Sequence, residues 1–194
     1  ADLSQVIDEL ERRDLVAGPI GVYGISYGAA TSIQLAGRDR RVKAVVAVAP
    51  FSTMRDVVPD YARTMLSGVD QIISEETLTE AVIEDGRKGE FNPDASNAVD
   101  AMRKTSAQVL ICHGTDDWLV PPYHALRLYE AGSDHASLYM VPRTGHIGIW
   151  FDPTGAVAEQ TRRWFDQYLN TDHPPSAGKA QISDRRHFVP LNSR

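Results

Sequence analysis

Apolar side chains recur along this chain in two alternating rhythms. Leu3, Val6, Ile7 and Leu10 fall at i, i+3, i+4 and i+7 with charged residues between them, so Asp2 to Arg13 is expected to be an amphipathic helix. A short apolar run, Ile20 to Tyr23, follows Gly18-Pro19 and is expected to be a buried strand. Val42 to Ala49 is almost continuously β-branched or small, the pattern of a strand covered on both faces. Val109 to Cys112 and Ser137 to Val141 repeat that pattern. Helical segments fit between and after these runs at Tyr27 to Leu35, ending at Gly37, at Tyr123 to Glu130, and from about Gly155 to Leu169. Strand and helix alternate, which points to a mainly parallel α/β sheet.

Two stretches break the rhythm. Phe51 to Ser106 inserts a long connection with helical patches around Arg55 to Leu66, Glu75 to Asp85 and Asn97 to Lys104, and connections of that length are usually functional. Its acidic group, Glu75, Glu76, Glu80, Glu84 and Asp85, is expected to be a solvated helix face. From Thr171 to Arg194 the sequence turns polar without periodicity, which is expected of an extended or disordered tail.

Composition narrows the function classes. The 194 residues carry 20 Lys plus Arg against 26 Asp plus Glu, a formal net charge of -6, so no basic patch favours a nucleic-acid backbone or an anionic membrane. The single cysteine, Cys112, excludes an internal disulfide and a multi-Cys zinc site, and nothing points to an oxidising compartment; a cytoplasmic location is expected. No H-E-x-x-H or other metal spacing occurs, and Gly18, Gly21 and Gly24 do not make a dinucleotide fingerprint, so no cofactor is expected.

The chemistry gathers just beyond three strands. Gly24-Ile25-Ser26-Tyr27-Gly28 stands where a strand turns into a helix, a place that pushes the serine hydroxyl above the sheet toward a base. In this reading both glycines occupy positions where a side chain would strike neighbouring backbone. His113-Gly114-Thr115-Asp116-Asp117 follows the third strand and puts an acid on the same rim, because functional groups gather at the carboxyl ends of parallel strands. Asp117 has the matching spacing and Asp116 is its rival, while His113 is expected to order the turn through a backbone hydrogen bond. Thr144-Gly145-His146 follows the fourth strand, where an imidazole could reach both acid and serine. His135 precedes its strand and His124 begins a helix, which leaves them weaker alternatives.

The order Ser, Asp, His along a strand-alternating chain resembles the α/β-hydrolase superfamily, and within it the small bacterial esterases and serine-aminopeptidase-like hydrolases. The resemblance covers roughly residues 1 to 170 and rests on the three motifs above. It implies Ser26 as nucleophile, His146 as general base and then acid, and Asp117 as the residue that orients the imidazole. It further implies a small-molecule acyl substrate, the Tyr27 N–H as one oxyanion donor, a helical cap over residues 51–106, and Phe51 and Tyr27 as pocket residues. Core packing is the equal alternative for Phe51. Ester hydrolysis leads, with amide or peptide cleavage and acyl transfer served by the same residues, and a non-catalytic hydrolase-like domain as the contrasting class.

The chain departs from the family at its start. The family places several strands and a second oxyanion donor ahead of the serine-bearing strand, whereas only 19 residues precede Ile20 here. The expectation is therefore the C-terminal portion of such a fold, with the first half of the sheet, or a second copy of the chain, covering the exposed edge of the Ile20 strand.

Overall fold

In a computed structural model the described residues are 2–66, 68, 73–90, 92–95 and 97–170. The sequence expectation for residues 171–194 lies outside them. Four parallel strands, β1 (Ile20–Ile25), β2 (Val42–Val48), β3 (Gln108–Gly114) and β4 (Ala136–Val141), form one sheet in the order β1-β2-β3-β4. The helices are α1 (Asp2–Arg12), α2 (Tyr27–Arg38), α3 (Met54–Met65), α4 (Glu75–Lys88), α5 (Ala98–Lys104), α6 (Tyr123–Ala131) and α7 (Ala156–Leu169).

The strand alternation decides which face each side chain serves. Val45, Ala47, Val109, Ile111, Ala136 and Leu138 point into a core shared with Ala30 and Ile33 of α2, Met102 of α5 and Leu128 of α6. Ala44, Val46, Val48, Leu110, Cys112 and Val141 point the other way, onto Val157 and Trp164 of α7. With both faces covered, β2 and β3 are almost wholly buried, which is why their sequences read as continuous apolar runs.

Three details differ from the sequence expectations. β3 extends to Gly114, because the main-chain ladder to β4 continues through His113↔Met140 and Gly114↔Val141 although the apolar run has ended. α2 continues through Gly37 to Arg38, for that glycine lets α5 approach; a Cβ there would stand 2.8 Å from the Ala101 Cα. The stripe on α1 is mostly open: Ile7 is buried while Leu3, Val6 and Leu10 are exposed. Ion pairs fasten α1 instead, with Arg41 reaching Asp8 at 2.7 Å and Glu11 at 2.6 Å.

A fourth difference is β1, expected to be buried: it is a terminal strand of the sheet, so Gly21 is exposed, Ile20 and Val22 are only half-buried, and Tyr23 is 48% exposed. Beside it, Trp150 and Phe151 are also exposed. No helix among the described residues is long and apolar enough to cross a membrane.

Candidate active site

The carboxyl-end rim of the sheet collects backbone strain. Ser26 at the end of β1, Ala49 just past β2 and Arg143 just past β4 all have positive φ, at 53°, 51° and 53°. L-residues pay about 1 kcal/mol or more for such a conformation, and it persists only where the surroundings over-determine it. For Ser26 the surroundings are visible: its N–H donates to the Val48 carbonyl at 2.7 Å, and α2 starts at the next residue.

The glycines of the serine turn are not equivalent. A Cβ on Gly24 would lie 2.2 Å from the Gly28 carbonyl oxygen and 2.6 Å from Ser32 Oγ, so this position accepts only glycine. A Cβ on Gly28 would meet nothing within 4 Å, which corrects the expectation that both glycines avoid a backbone collision. The collision is one-sided because Gly28 presents its backbone, not its Cα hydrogens, to Gly24.

The structure brings Ser26, His146 and Asp117 together from three loops. Ser26 Oγ lies 2.9 Å from His146 Nε2, and His146 Nδ1 lies 2.7 Å from Asp117 Oδ2. Both His146 and Asp117 are buried, at 2% exposure each. Asp117 Oδ1 accepts the backbone N–H groups of Leu119 (3.1 Å) and Val120 (2.8 Å), which fixes the carboxylate plane. Burial pushes this carboxyl up, but His113, His146 and the Val120 N–H outweigh it and hold it well below the usual carboxylate range. An ionised Asp117 accepts the Nδ1 proton of His146, so Nε2 carries the lone pair that faces the serine hydroxyl.

Close approach of two loops makes that pairing possible. A Cβ on Gly114 would stand 2.1 Å from the Thr144 carbonyl oxygen, and Asp116 N–H donates to that same oxygen at 3.1 Å. Arg143 N–H donates to Thr115 Oγ1 at 2.8 Å. The acid loop and the histidine loop are thereby fastened together directly behind the two side chains.

The remaining candidates sort by contact. Asp116 is held by the Thr115 hydroxyl at 2.8 Å and is exposed. His113 is fully buried, its Nε2 lies 2.8 Å from the Val120 carbonyl and 3.4 Å from Asp117 Oδ2, and its Nδ1 has no partner among the described residues. A carbonyl can only accept, so Nε2 carries the proton and the ring backs the acid loop. His135 pairs with Asp134 at the start of β4, the opposite rim. His124 is buried against Ser52 and Asp60.

Tyr27 is 62% exposed beside the serine, and its ring lies 5.7 Å from that of Phe51. Phe51 itself is buried in the core at 5% exposure. Ser26 occupies the N-cap of α2 but makes no side-chain capping bond; its carbonyl takes the Ala29 and Ala30 N–H groups at 3.0 and 3.2 Å, and the Tyr27 N–H ahead of them keeps its donor capacity. One contact carries no signal in the sequence: Trp150 meets the His146 ring edge-on at 5.3 Å. Only the turn after His146 brings it back. Among the described residues no cluster of His, Cys, Asp and Glu could hold a metal ion.

A parallel sheet with helices on both faces and a hydrogen-bonded Ser–His–Asp row at its carboxyl rim defines the α/β-hydrolase class. Known structures share this architecture. Acylaminoacyl peptidase from Pyrococcus horikoshii superposes with a TM-score of 0.61 at 17% identity, over 87% of this chain and 27% of that one. The esterase domain of a Rhodothermus marinus protein gives 0.60 at 19%, over 86% and 67%. Acetyl xylan esterase 1 from Thermoanaerobacterium sp. JW/SL YS485 gives 0.53 at 20%, over 76% and 44%. The chain thus spans about a quarter of the length of the peptidase it resembles. No curated protein matches it by sequence. The model of the prolyl oligopeptidase family matches residues 1–172, and the chain belongs to that family.

Proposed function

We propose that this chain carries the reacting groups of a serine hydrolase that cleaves a carboxylic ester or amide through an acyl-enzyme. The observation that carries the reading is the continuous row Ser26 Oγ, His146 Nε2, His146 Nδ1, Asp117 Oδ2, with successive contacts of 2.9 and 2.7 Å. In this mechanism Ser26 Oγ attacks the acyl carbonyl while His146 Nε2 takes its proton. Asp117 keeps the imidazole in the Nδ1–H tautomer and stabilises the imidazolium. The Tyr27 N–H donates to the developing oxyanion, an interaction worth about 10²- to 10³-fold in turnover for one such donor. His146 then returns the proton to the leaving group, and the same base activates water to release the acid.

Ester and peptide bonds present the same carbonyl to Ser26, and two observations favour different leaving groups. Membership of the prolyl oligopeptidase family favours a peptide bond. The likeness to an acetyl xylan esterase and an esterase domain favours an ester. A fluorophosphonate probe tests the shared chemistry: stoichiometric labelling that Ser26→Ala abolishes is the expected result, and a folded protein that takes no label overturns it. Comparing p-nitrophenyl acetate with peptidyl p-nitroanilides then separates the leaving groups.

A further inference from the structure

A second polar cluster, buried at its centre, joins three segments far apart in the sequence. Ser52 follows β2, Asp56 and Asp60 lie on α3, and Tyr123, His124 and Arg127 lie on α6. Ser52 and His124 are both fully buried. The Ser52 backbone N–H donates to His124 Nδ1 at 3.2 Å, so Nδ1 is the unprotonated nitrogen and Nε2–H donates to Asp60 Oδ2 at 3.1 Å. Tyr123 Oη donates to the same oxygen at 2.6 Å. Ser52 Oγ donates its one proton to His124 Nδ1 at 2.8 Å and stands 3.1 Å from Asp56 Oδ2, an oxygen that accepts from the Thr53 hydroxyl and from Arg127 at 2.6 Å.

The row Ser52, His124, Asp60 has the residue types of a hydrolytic triad, but Ser52 has no exposed surface for a substrate carbonyl to reach. Its role must lie in what it holds. It fixes the backbone immediately after Phe51, whose ring leans on Tyr27 beside the nucleophile. It also fastens the middle of α3 to α6, while the last turn of α3 is tied to the acid loop by Thr64 Oγ1 donating to the Trp118 carbonyl at 3.0 Å. α3 is therefore anchored to the two ends of the segment that runs from Asp117 to His124. Buried hydrogen-bonded networks of this kind fix one arrangement where apolar packing would tolerate several.

We infer that His124 is a positioning residue which, through Ser52 and Asp60, sets the stance of α3 and of the buried Phe51 ring that supports the exposed Tyr27 side chain next to Ser26, and thereby decides whether bulky acyl groups are bound. The inference rests on the hydrolase reading above. It separates substrate selection, set by His124, from bond cleavage, set by His146.

Two substitutions divide the clamp. His124→Asn leaves an acceptor near the Nδ1 position but cannot reach Asp60; His124→Gln extends an amide N–H toward Asp60 but withdraws the acceptor from Ser52. For both, measured on the full chain, KM for p-nitrophenyl 3-phenylpropionate is expected to rise about tenfold with kcat little changed, a loss typical of a reshaped pocket. KM for p-nitrophenyl acetate and the rate of fluorophosphonate labelling stay within about twofold. Equal losses on both esters, or wild-type values on both, overturn the inference. Should the His124 variants not fold, Tyr123→Phe removes one donor from Asp60 at a partly exposed site; it is expected to raise KM for the bulky ester alone, and an unchanged KM overturns the inference. If the wild-type protein neither labels nor cleaves either ester, the hydrolase reading fails, and amide hydrogen exchange reads the clamp by itself. Faster exchange over Met54–Met65 in His124→Gln with α2 unchanged supports it, and unchanged exchange overturns it.

Discussion

Asp117 never touches the serine, yet in the proposed mechanism the hydroxyl's chemistry depends on it, because the tautomer of His146 is fixed from the Nδ1 side. Asp117→Asn conserves shape but can donate toward Nδ1, which turns the imidazole proton to Nε2 and removes the base. The expected result is a loss in kcat of about 10⁴-fold, with circular dichroism unchanged. A variant within tenfold of wild type would show that the carboxylate charge is not needed. The serine turn makes a second residue-scale prediction. Gly24→Ala puts a methyl 2.2 Å from the Gly28 carbonyl, so it should lose both stability and labelling at Ser26, whereas Gly28→Ala enters open space and should keep both. Thermal melts together with fluorophosphonate labelling read the pair.

At the scale of the element, the informative case is α1. Its periodicity is plain in the sequence, but only Ile7 reaches the core, so the helix is held by Arg41 pairing with Asp8 and Glu11 while Asp39 holds Arg41 in place. The Arg41 guanidinium keeps the Asp39 carboxyl at about 2, below its ordinary 3.8. A depressed folded-state pKa adds stability that is complete above the ordinary value and is lost as pH falls through the folded one. Asp39→Asn should therefore cost about 1 kcal/mol at neutral pH, discounted for the solvent reaching Arg41, and should flatten the stability profile between about pH 4 and pH 2. Urea melts at a series of pH values check this, and an unchanged acid limb would remove the ion pair from the account. The insertion shows the same division between pattern and packing. Thr53, Ser74 and Asn97 each cap a helix by accepting a backbone N–H, a local signal, whereas the Asp60–His124 contact that seats α3 spans 64 residues and leaves no local trace.

For the whole molecule, the terminal position of β1 has a physical consequence. An edge strand offers unpaired backbone groups, and here exposed Tyr23, Trp150 and Phe151 lie beside it. A polypeptide of residues 1–170 alone is expected to self-associate through this side, and Tyr23→Lys, which places a charge on the edge, should shift it toward monomer in sedimentation velocity. A monomeric wild-type chain at micromolar concentration would contradict that expectation.

Much of this architecture is legible in the order of residues. Four strands, their helices and the three motif loops all follow from apolar runs, glycines and polar breaks, because strand and helix periodicity are local properties. That Ser26, the Asp116–Asp117 pair and His146 lie on one rim follows as well, since the carboxyl ends of parallel strands share it whatever the packing; the choice of Asp117 over Asp116 rests on motif spacing and family resemblance. Distance is what the fold alone decides. Gly114 passing within contact of the Thr144 carbonyl brings Asp117 to His146, and His124 closes on Ser52 and Asp60. Each of these joins segments whose spacing in sequence is set by intervening loops, and only the packed core fixes how those loops end in space.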